Sequence, residues 1–462
     1  MPERASLPVA VIGAGPVGLA AAAHLAGRGL TPLVLEAGPL AAQAVREWGH
    51  VRLFSPWREL VDPAAARLLA GTGWRGPDPA AYPTGAEWAD AYLQPLADAL
   101  GDRVRYGAAV TGVARADRDR VVDSGREDRP FTVHVVRSDG GEERVAARAV
   151  VDASGTWALP NPVGADGLPA LGERAAAAAG RLTYRLPDLD DPATRARFAG
   201  KRVAVVGSGA SAFTALAQLA RLAVAADGAG TLATWVLRRG VSAATFGGGS
   251  ADQLPARGAL GLAARRSVEA GHTEAVTGFR TAAVERDGDG RLVLVAADGR
   301  RTGPVDHVLV LTGSRPDLGF LSEVRLGLDE RLSAPAALAP LVDPNRHSCG
   351  TVPPHGAREL AHRERDFYLV GAKSYGRAPT FLALTGHEQA RSVAAALAGD
   401  LRAAHRVELT LPETGVCGGT GLFDAPDSPD SATGCCSPAP AGAVDVELRT
   451  STGEAVRATQ AP

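Results

Sequence analysis

The chain has 462 residues, which at roughly 100–200 residues per domain points to about two or three domains. It is 45% hydrophobic and 22% charged with a formal net charge of -2, so charge gives no reason to expect nucleic acid or a membrane as a partner. The 55 glycines suit a chain with many tight turns or close backbone approaches to a ligand, whereas two lysines (Lys201, Lys373) beside abundant arginine read as coding bias.

In chain order, residues 1–8 hold one Arg and one Glu and do not read as a signal peptide. The apolar run from Leu7 to Ala26 is broken by Gly13, Gly15, Pro16 and Gly18, so it reads as strand, turn and helix rather than a membrane span. The chain is therefore expected in the cytoplasm. Pro8 to Gly38 has a short apolar run, a glycine-rich turn, an Ala/Leu helix and a second apolar run, which is a βαβ unit; Lys201 to Gly240 repeats the pattern. Between them, Leu40 to Leu100 predicts two or three helices. One runs over Thr84 to Leu100, with Thr84 as cap and Glu87 three residues on. Val104 to Val151 alternates in short runs such as Phe131 to Val136 and predicts an antiparallel meander.

VVDASG from Val150 and VLVLTG from Val308 are matching apolar strands, read as the points where the chain leaves and re-enters a first domain. The expected fold is therefore α/β: a Rossmann-like domain over 1–160 and 306–405, with a second Rossmann-like domain, 161–305, inserted into it. FYLVG from Phe367 predicts another buried strand, followed by a helix from about Thr385 to Ala398. Past Arg406 the sequence turns rich in Gly, Pro, Ser and Asp without apolar period, and 406–462 is expected to be a flexible tail.

The two glycine turns carry the chemistry. Gly13, Gly15 and Gly18 stand between strand and helix, where the backbone can approach a pyrophosphate at a helix N-terminus, and Glu36 ends the next strand, where a carboxylate accepts from a ribose diol. The second copy is Gly207, Gly209 and Ala212. Its second strand ends in Arg238 and Arg239, the arrangement that receives a 2′-phosphate, so NADPH is favoured over NADH at that turn. The plainer alternative for each copy is a glycine-rich turn of an α/β fold.

The ordered set GAGPVG with Glu36, VVDASGTW, GKRVAVVGSGASA, VLVLTGSRPDL and FYLVGAKSYG resembles the two-dinucleotide-binding-domain flavoproteins over residues 8–405. Within them it is most similar to the flavin-containing monooxygenase branch, especially the NADPH-dependent flavoproteins of bacterial arsenic-resistance operons. The resemblance implies FAD at Gly13, Gly15, Gly18 and Glu36, NADPH at Gly207, Gly209, Arg238 and Arg239, and Gly371 near the flavin. Ala372 stands where many relatives carry an Asp toward the ribityl chain, and no Baeyer–Villiger fingerprint is evident in Gly180 to Gly200. Trp48, Phe54 and Trp57 follow the first βαβ unit, where relatives supply aromatic cover, and Trp57 is the flavin-side candidate against a reading as core. Arg52 and Arg58 are read as neutralising a flavin oxygen or as solvated, and His24 as a packing residue.

The cysteines, Cys349, Cys417, Cys435 and Cys436, form no pair inside either nucleotide domain, which argues against an ordinary disulfide reductase. The expected function is an FAD- and NADPH-dependent monooxygenase that uses O2 on a small soft-heteroatom substrate. The tail resembles the thiol tails of mercuric reductases, and Cys417, Cys435 and Cys436 suit As(III) or another thiophilic ion. The alternatives are a reductase passing electrons through these thiols, and a non-enzymatic metalloid binder. His347 and Cys349 are close enough in sequence to share a site or a structured loop.

Overall fold

The computed structural model describes residues 4–241, 243–252, 254–346, 352–379, 381–406, 408–409, 446–449 and 455–458. They contain two compact units, one drawn from 4–159, 314–346 and 352–409, the other from 160–313 together with 446–449 and 455–458.

The first unit opens with β1 (Val9–Ile12), α1 (Pro16–Gly27) and β2 (Pro32–Leu35), the expected βαβ. Asp62 caps α2 (Pro63–Ala70), its carboxylate accepting from the Ala64 and Ala65 amides. The helix expected from Thr84 is present as Gly85–Trp88, a π turn Ala89–Leu93 and Gln94–Leu100. Its capping box is formed: Thr84 Oγ1 accepts from the Glu87 amide at 3.1 Å and the Glu87 carboxylate accepts from the Thr84 amide at 2.7 Å. After β3 (Val104–Arg105), the meander runs through β4 (Ala108–Arg115), β5 (Phe131–Arg137) and β6 (Glu142–Ala147), antiparallel as predicted, and leads into β7 (Ala149–Asp152).

The second unit has β8 (Leu182–Thr183), β9 (Arg202–Val206), α3 (Ala210–Val224), β10 (Leu232–Val236), α4 (Pro255–Glu269), β11 (Thr273–Val276), a hairpin of β12 (Thr281–Arg286) and β13 (Leu292–Ala296), and β14 (His307–Val310). Its parallel sheet has the order β11-β10-β9-β14-β8. Here the structure corrects the sequence reading: VLVLTG is not the re-entry into the first domain. β14 pairs in parallel with β9, His307 opposite Val203 through Val310 opposite Val206, and the division falls after Gly313 rather than after residue 305. An apolar strand flanked by apolar strands fits either sheet by pattern alone, and only the pairing decides.

The chain returns to the first unit for β15 (Phe367–Leu369) and α5 (Ala383–Leu397), which packs along α1. The first sheet is all parallel in the order β15-β7-β1-β2-β3. Its strands are buried on both faces: Val9, Val11, Val34 and Val151 face one core with α1 and α5, while Ala10, Ile12, Leu35 and Val150 face another that includes the meander. Two cores likewise flank the second sheet. Within the region expected to lack regular structure, Val446–Arg449 and Ala455–Ala458 pair as antiparallel strands. No helix among the described residues is long and apolar enough to cross a membrane.

Candidate functional site

Each sheet presents a glycine turn at the end of its first central strand, followed by a helix whose first turn has no side-chain cap: Gly15 precedes α1 and Gly209 precedes α3. Uncapped amides at a helix start are an anion site, and both turns offer one. In the first turn Gly13 adopts φ +94°, and a Cβ on Gly18 would lie 2.0 Å from the Gly13 carbonyl oxygen, so the chain can fold this tightly only with glycine there. Around Gly15 nothing lies within 4 Å of such a Cβ, which leaves room for a ligand against the backbone. Glu36, 8% exposed, accepts from the Ala14 amide at 2.7 Å and the Gly38 amide at 2.8 Å, so its carboxylate is fixed beside the turn. These residues fit a dinucleotide: an open backbone cradle, a helix start without a cap, and an oriented acceptor for a ribose. Gly371, with φ +71°, follows β15 and approaches Val17 of α1, and its amide donates to Gln389 Oε1 at 2.8 Å.

The second turn is set differently. Gly207 has φ +134°, and a Cβ there would come within 2.3 Å of the Leu311 carbonyl oxygen, so this glycine lets the β9 end pass close to the β14 end. The fully buried Trp235 donates its indole N–H to the Gly207 carbonyl at 2.7 Å and packs edge-on to Phe213 of α3. The third position of the motif is Ala212, fully buried. β10 runs on past its end: the Leu237 amide donates to Val276, the Phe279 amide to Leu237, and the Gly278 amide to Arg239. This pairing carries Arg238 and Arg280 to the same end of the sheet, and no carboxylate among the described residues pairs with either. Partial desolvation and the like charge of Arg280 lower the Arg238 pKa, the electrostatics of a place that wants an anion. Arg280 was missed in the sequence because it follows the third strand in space, not the second.

Trp57 begins the short helix Trp57–Leu60, is 5% exposed and packs in the main core of the first unit with Val45 and Leu60. Arg52 and Arg58 are solvated: they lie 3.8 Å from Glu87 and 3.7 Å from Glu59 respectively, with more than half of each side chain exposed. His24 does more than pack, because its Nε2 lies 2.9 Å from Asp62 Oδ2 in a buried pair. Burial alone would raise the Asp62 pKa, yet the His24 contact and the Ala65 amide bring it down. Both ring nitrogens of buried His387 lack partners among the described residues, and desolvation lowers its pKa. His347, Cys349, Cys417, Cys435 and Cys436 lie outside the described residues. Among the described residues no group of three or more His, Cys, Asp or Glu is arranged to hold a metal ion.

VVDASG and FYLVGAKSYG, distant in the sequence, meet in the fold. Lys373, fully buried, donates from Nζ to Asp152 Oδ2 at 2.7 Å and to Ser154 Oγ at 2.9 Å, and lies 4.3 Å from the centre of the Phe320 ring. The turn that carries Lys373 is itself braced. Gln389 on α5 accepts from the Gly371 amide and donates to Ser374 Oγ at 3.0 Å, and its Nε2 lies 2.9 Å from His355 Nε2. His355 Nδ1 is 3.0 Å from the Pro353 carbonyl, which fixes the neutral tautomer with Nε2 as acceptor, and burial lowers the His355 pKa accordingly. The signal available in the sequence was a rare lysine inside an apolar strand-and-turn motif.

Comparison with known proteins places these features. The chain is 34% identical over 215 residues, 46% of its own length, to indole-3-pyruvate monooxygenase YUCCA1 of Oryza sativa subsp. japonica; the match spans 44% of that relative. The fold is that of bacillithiol disulfide reductase Bdr (YpdA) from Bacillus cereus, with a TM-score of 0.62 and 20% identity over 85% of this chain and 99% of that one. The desferrioxamine-pathway cadaverine monooxygenase DfoA of Erwinia amylovora shares it at a TM-score of 0.55 and 14% identity, covering 88% and 96%. The family described as pyridine nucleotide-disulphide oxidoreductase matches residues 7–333, and the chain, with its two dinucleotide turns, belongs to this family of FAD- and NAD(P)H-dependent oxidoreductases.

Proposed function

We propose that the protein is an FAD- and NADPH-dependent monooxygenase acting on a small substrate with a soft heteroatom. The observation that carries this reading is the pairing of two built dinucleotide turns with the absence of any cysteine before residue 349, so neither sheet supplies a dithiol beside the flavin. The partial match to a plant monooxygenase supports it. Gly13, Gly15, Gly18, Glu36 and Gly371 are the residues that would hold FAD; Gly207, Gly209, Arg238 and Arg239 those that would hold NADPH, the arginines taking the 2′-phosphate. When bound, the flavin supplies electron transfer from the nicotinamide and reactivity toward O2. The protein's part is to fix the two nucleotides by their phosphates and riboses, to hold the Gly371 turn rigid through Gln389, and to keep the buried groups behind it neutral or paired.

Sulfur, nitrogen and arsenic are the heteroatoms this reading admits, arsenic resting on the sequence resemblance. The test is NADPH oxidation by the purified holoenzyme under labelled O2 with a panel of thioethers, amines and organoarsenicals. Label in the product at one atom per NADPH consumed supports the reading. NADPH oxidation that proceeds without O2 and is lost in a Cys435→Ser, Cys436→Ser variant would instead establish the reductase, with the tail thiols passing electrons to a metalloid or disulfide.

A further inference from the structure

An ammonium has three donors and no acceptor capacity. Lys373 points one N–H at Asp152 Oδ2 and one at Ser154 Oγ, while its charge sits against the Phe320 ring. The other Asp152 oxygen accepts from the Ser154 amide at 3.0 Å, which closes a ring of three residues. Asp152 and Lys373 are fully buried at the ends of β7 and β15, whereas Ser154 is exposed.

This asymmetry fixes a proton. Ser154 Oγ accepts from Lys373, so its own hydrogen points elsewhere, and no acceptor for it exists among the described residues. Its position is the first dinucleotide turn: a Cβ on Gly13 would lie 3.2 Å from Ser154 Cα and 3.0 Å from the Ala153 carbonyl oxygen. We propose that Ser154 is a cofactor-binding residue whose hydroxyl donates to an oxygen of FAD, and that Lys373, held by Asp152, is the positioning residue that orients and strengthens that donor. A hydroxyl polarised by an ammonium on one side is a better donor on the other. The inference rests on the FAD reading of the first turn and adds to it a contact made by a side chain rather than by the glycine backbone.

The experiment is a double-mutant cycle read as the FAD dissociation constant of the apoprotein, by quenching of flavin fluorescence, with the apoprotein melting temperature measured alongside. Ser154→Ala is expected to weaken FAD about tenfold, the worth of one hydrogen bond to a strong acceptor, with the apoprotein melting temperature lowered only modestly by the acceptor Lys373 loses. Lys373→Met alone strands the Asp152 charge and risks unfolding, so Lys373→Met is combined with Asp152→Asn, which removes both charges together and keeps an acceptor for the Ser154 amide. That pair is expected to weaken FAD about tenfold with Ser154 present and less than about twofold once Ser154 is already Ala. Ser154→Thr, which keeps the hydroxyl, restores binding to within about twofold of wild type. Losses that multiply independently, or a Ser154→Ala protein that binds FAD like wild type, would overturn the proposal while leaving the FAD site intact. Failure of the wild-type apoprotein to take up FAD would overturn the site reading itself, and this proposal with it.

Discussion

The two glycine turns solve one problem in opposite electrostatic ways. In the first, Glu36 is buried and bonded to two backbone amides, so the protein itself fixes the acid. In the second, Arg238 and Arg280 stand at the sheet end with no carboxylate paired to either among the described residues, and Arg238 carries a lowered pKa from desolvation and mutual repulsion. A ligand at the first turn would meet an acceptor that is already ordered. At the second, on the proposed reading, an anion would relieve the repulsion between Arg238 and Arg280. The steric contrast runs the same way: the first turn depends on Gly18, whereas the second carries a buried Ala212 in the corresponding place.

The largest effect that would break this contrast is at Gly18. A methyl group 2.0 Å from the Gly13 carbonyl oxygen has no room, and because the obstacle is backbone it cannot rotate aside. Gly18→Ala is expected to lose FAD altogether and to lower the apoprotein melting temperature, the cost of overpacking being about 1–3 kcal/mol or more. Gly15→Ala meets nothing within 4 Å and should melt like wild type while binding FAD poorly, since its methyl occupies ligand space. Ala212→Gly should cost only about 1 kcal/mol of helix propensity and leave NADPH binding in place. Thermal melts with and without each nucleotide separate these outcomes.

Acid should strike the first unit through its buried histidines. Burial brings the His362 pKa down to about 4, and His355 is also lowered, so both are neutral in the folded protein and protonate near 6.5 once unfolded. Because the unfolded chain binds more protons in that window, stability is complete above about pH 6.5 and is lost as pH falls from there toward about 4, by about 3 kcal/mol for His362 alone. Protonated His355 would also turn a donor toward Gln389 Nε2 and break the brace on the Gly371 turn. FAD retention measured by gel filtration should therefore fall as pH drops below the ordinary histidine range, and His355→Gln should flatten that loss. Equal retention of FAD at pH 7.5 and 4.5 would contradict this account.

At the second turn, Arg238→Gln is expected to raise KM for NADPH about tenfold to hundredfold while changing KM for NADH less than about threefold, and Arg280→Gln should do the same more weakly. A comparable loss with both nucleotides would show that the arginines support the fold, not the 2′-phosphate, and the electrostatic contrast between the turns would disappear.

The elements with strong local signals were readable in the sequence: both βαβ units, the Thr84 capping box and the Phe131 meander. Two things were not. β14 was assigned to the wrong sheet, because VLVLTG and VVDASG have the same apolar pattern and nothing local says which neighbour each will hydrogen-bond. The Lys373, Asp152 and Ser154 ring joins residues more than two hundred positions apart, and an isolated Lys reads as solvated until the topology buries it. Trp57 packs in the core, and its position in the sequence alone does not tell a core aromatic from one that lines a ligand, since aromatic residues after the first unit do either.

The smallest expected effect belongs to Arg52 and Arg58, and it sharpens the comparison by showing where positive charge does not count. Each stands at the surface of the first unit against a nearby carboxylate at 3.8 and 3.7 Å, with 62% and 58% of its side chain exposed. A pair so solvated gains little Coulomb energy and gives up side-chain freedom, so removal costs about 0–1 kcal/mol. Arg52→Ala and Arg58→Ala should leave the melting temperature nearly unchanged and the FAD dissociation constant within about twofold of wild type, and raising the salt should change neither. A tenfold loss of FAD in Arg58→Ala would mean that the first turn also recruits a free cation, and that the division between an acid-fixed turn and an arginine-fixed turn is not how this chain tells its two nucleotides apart.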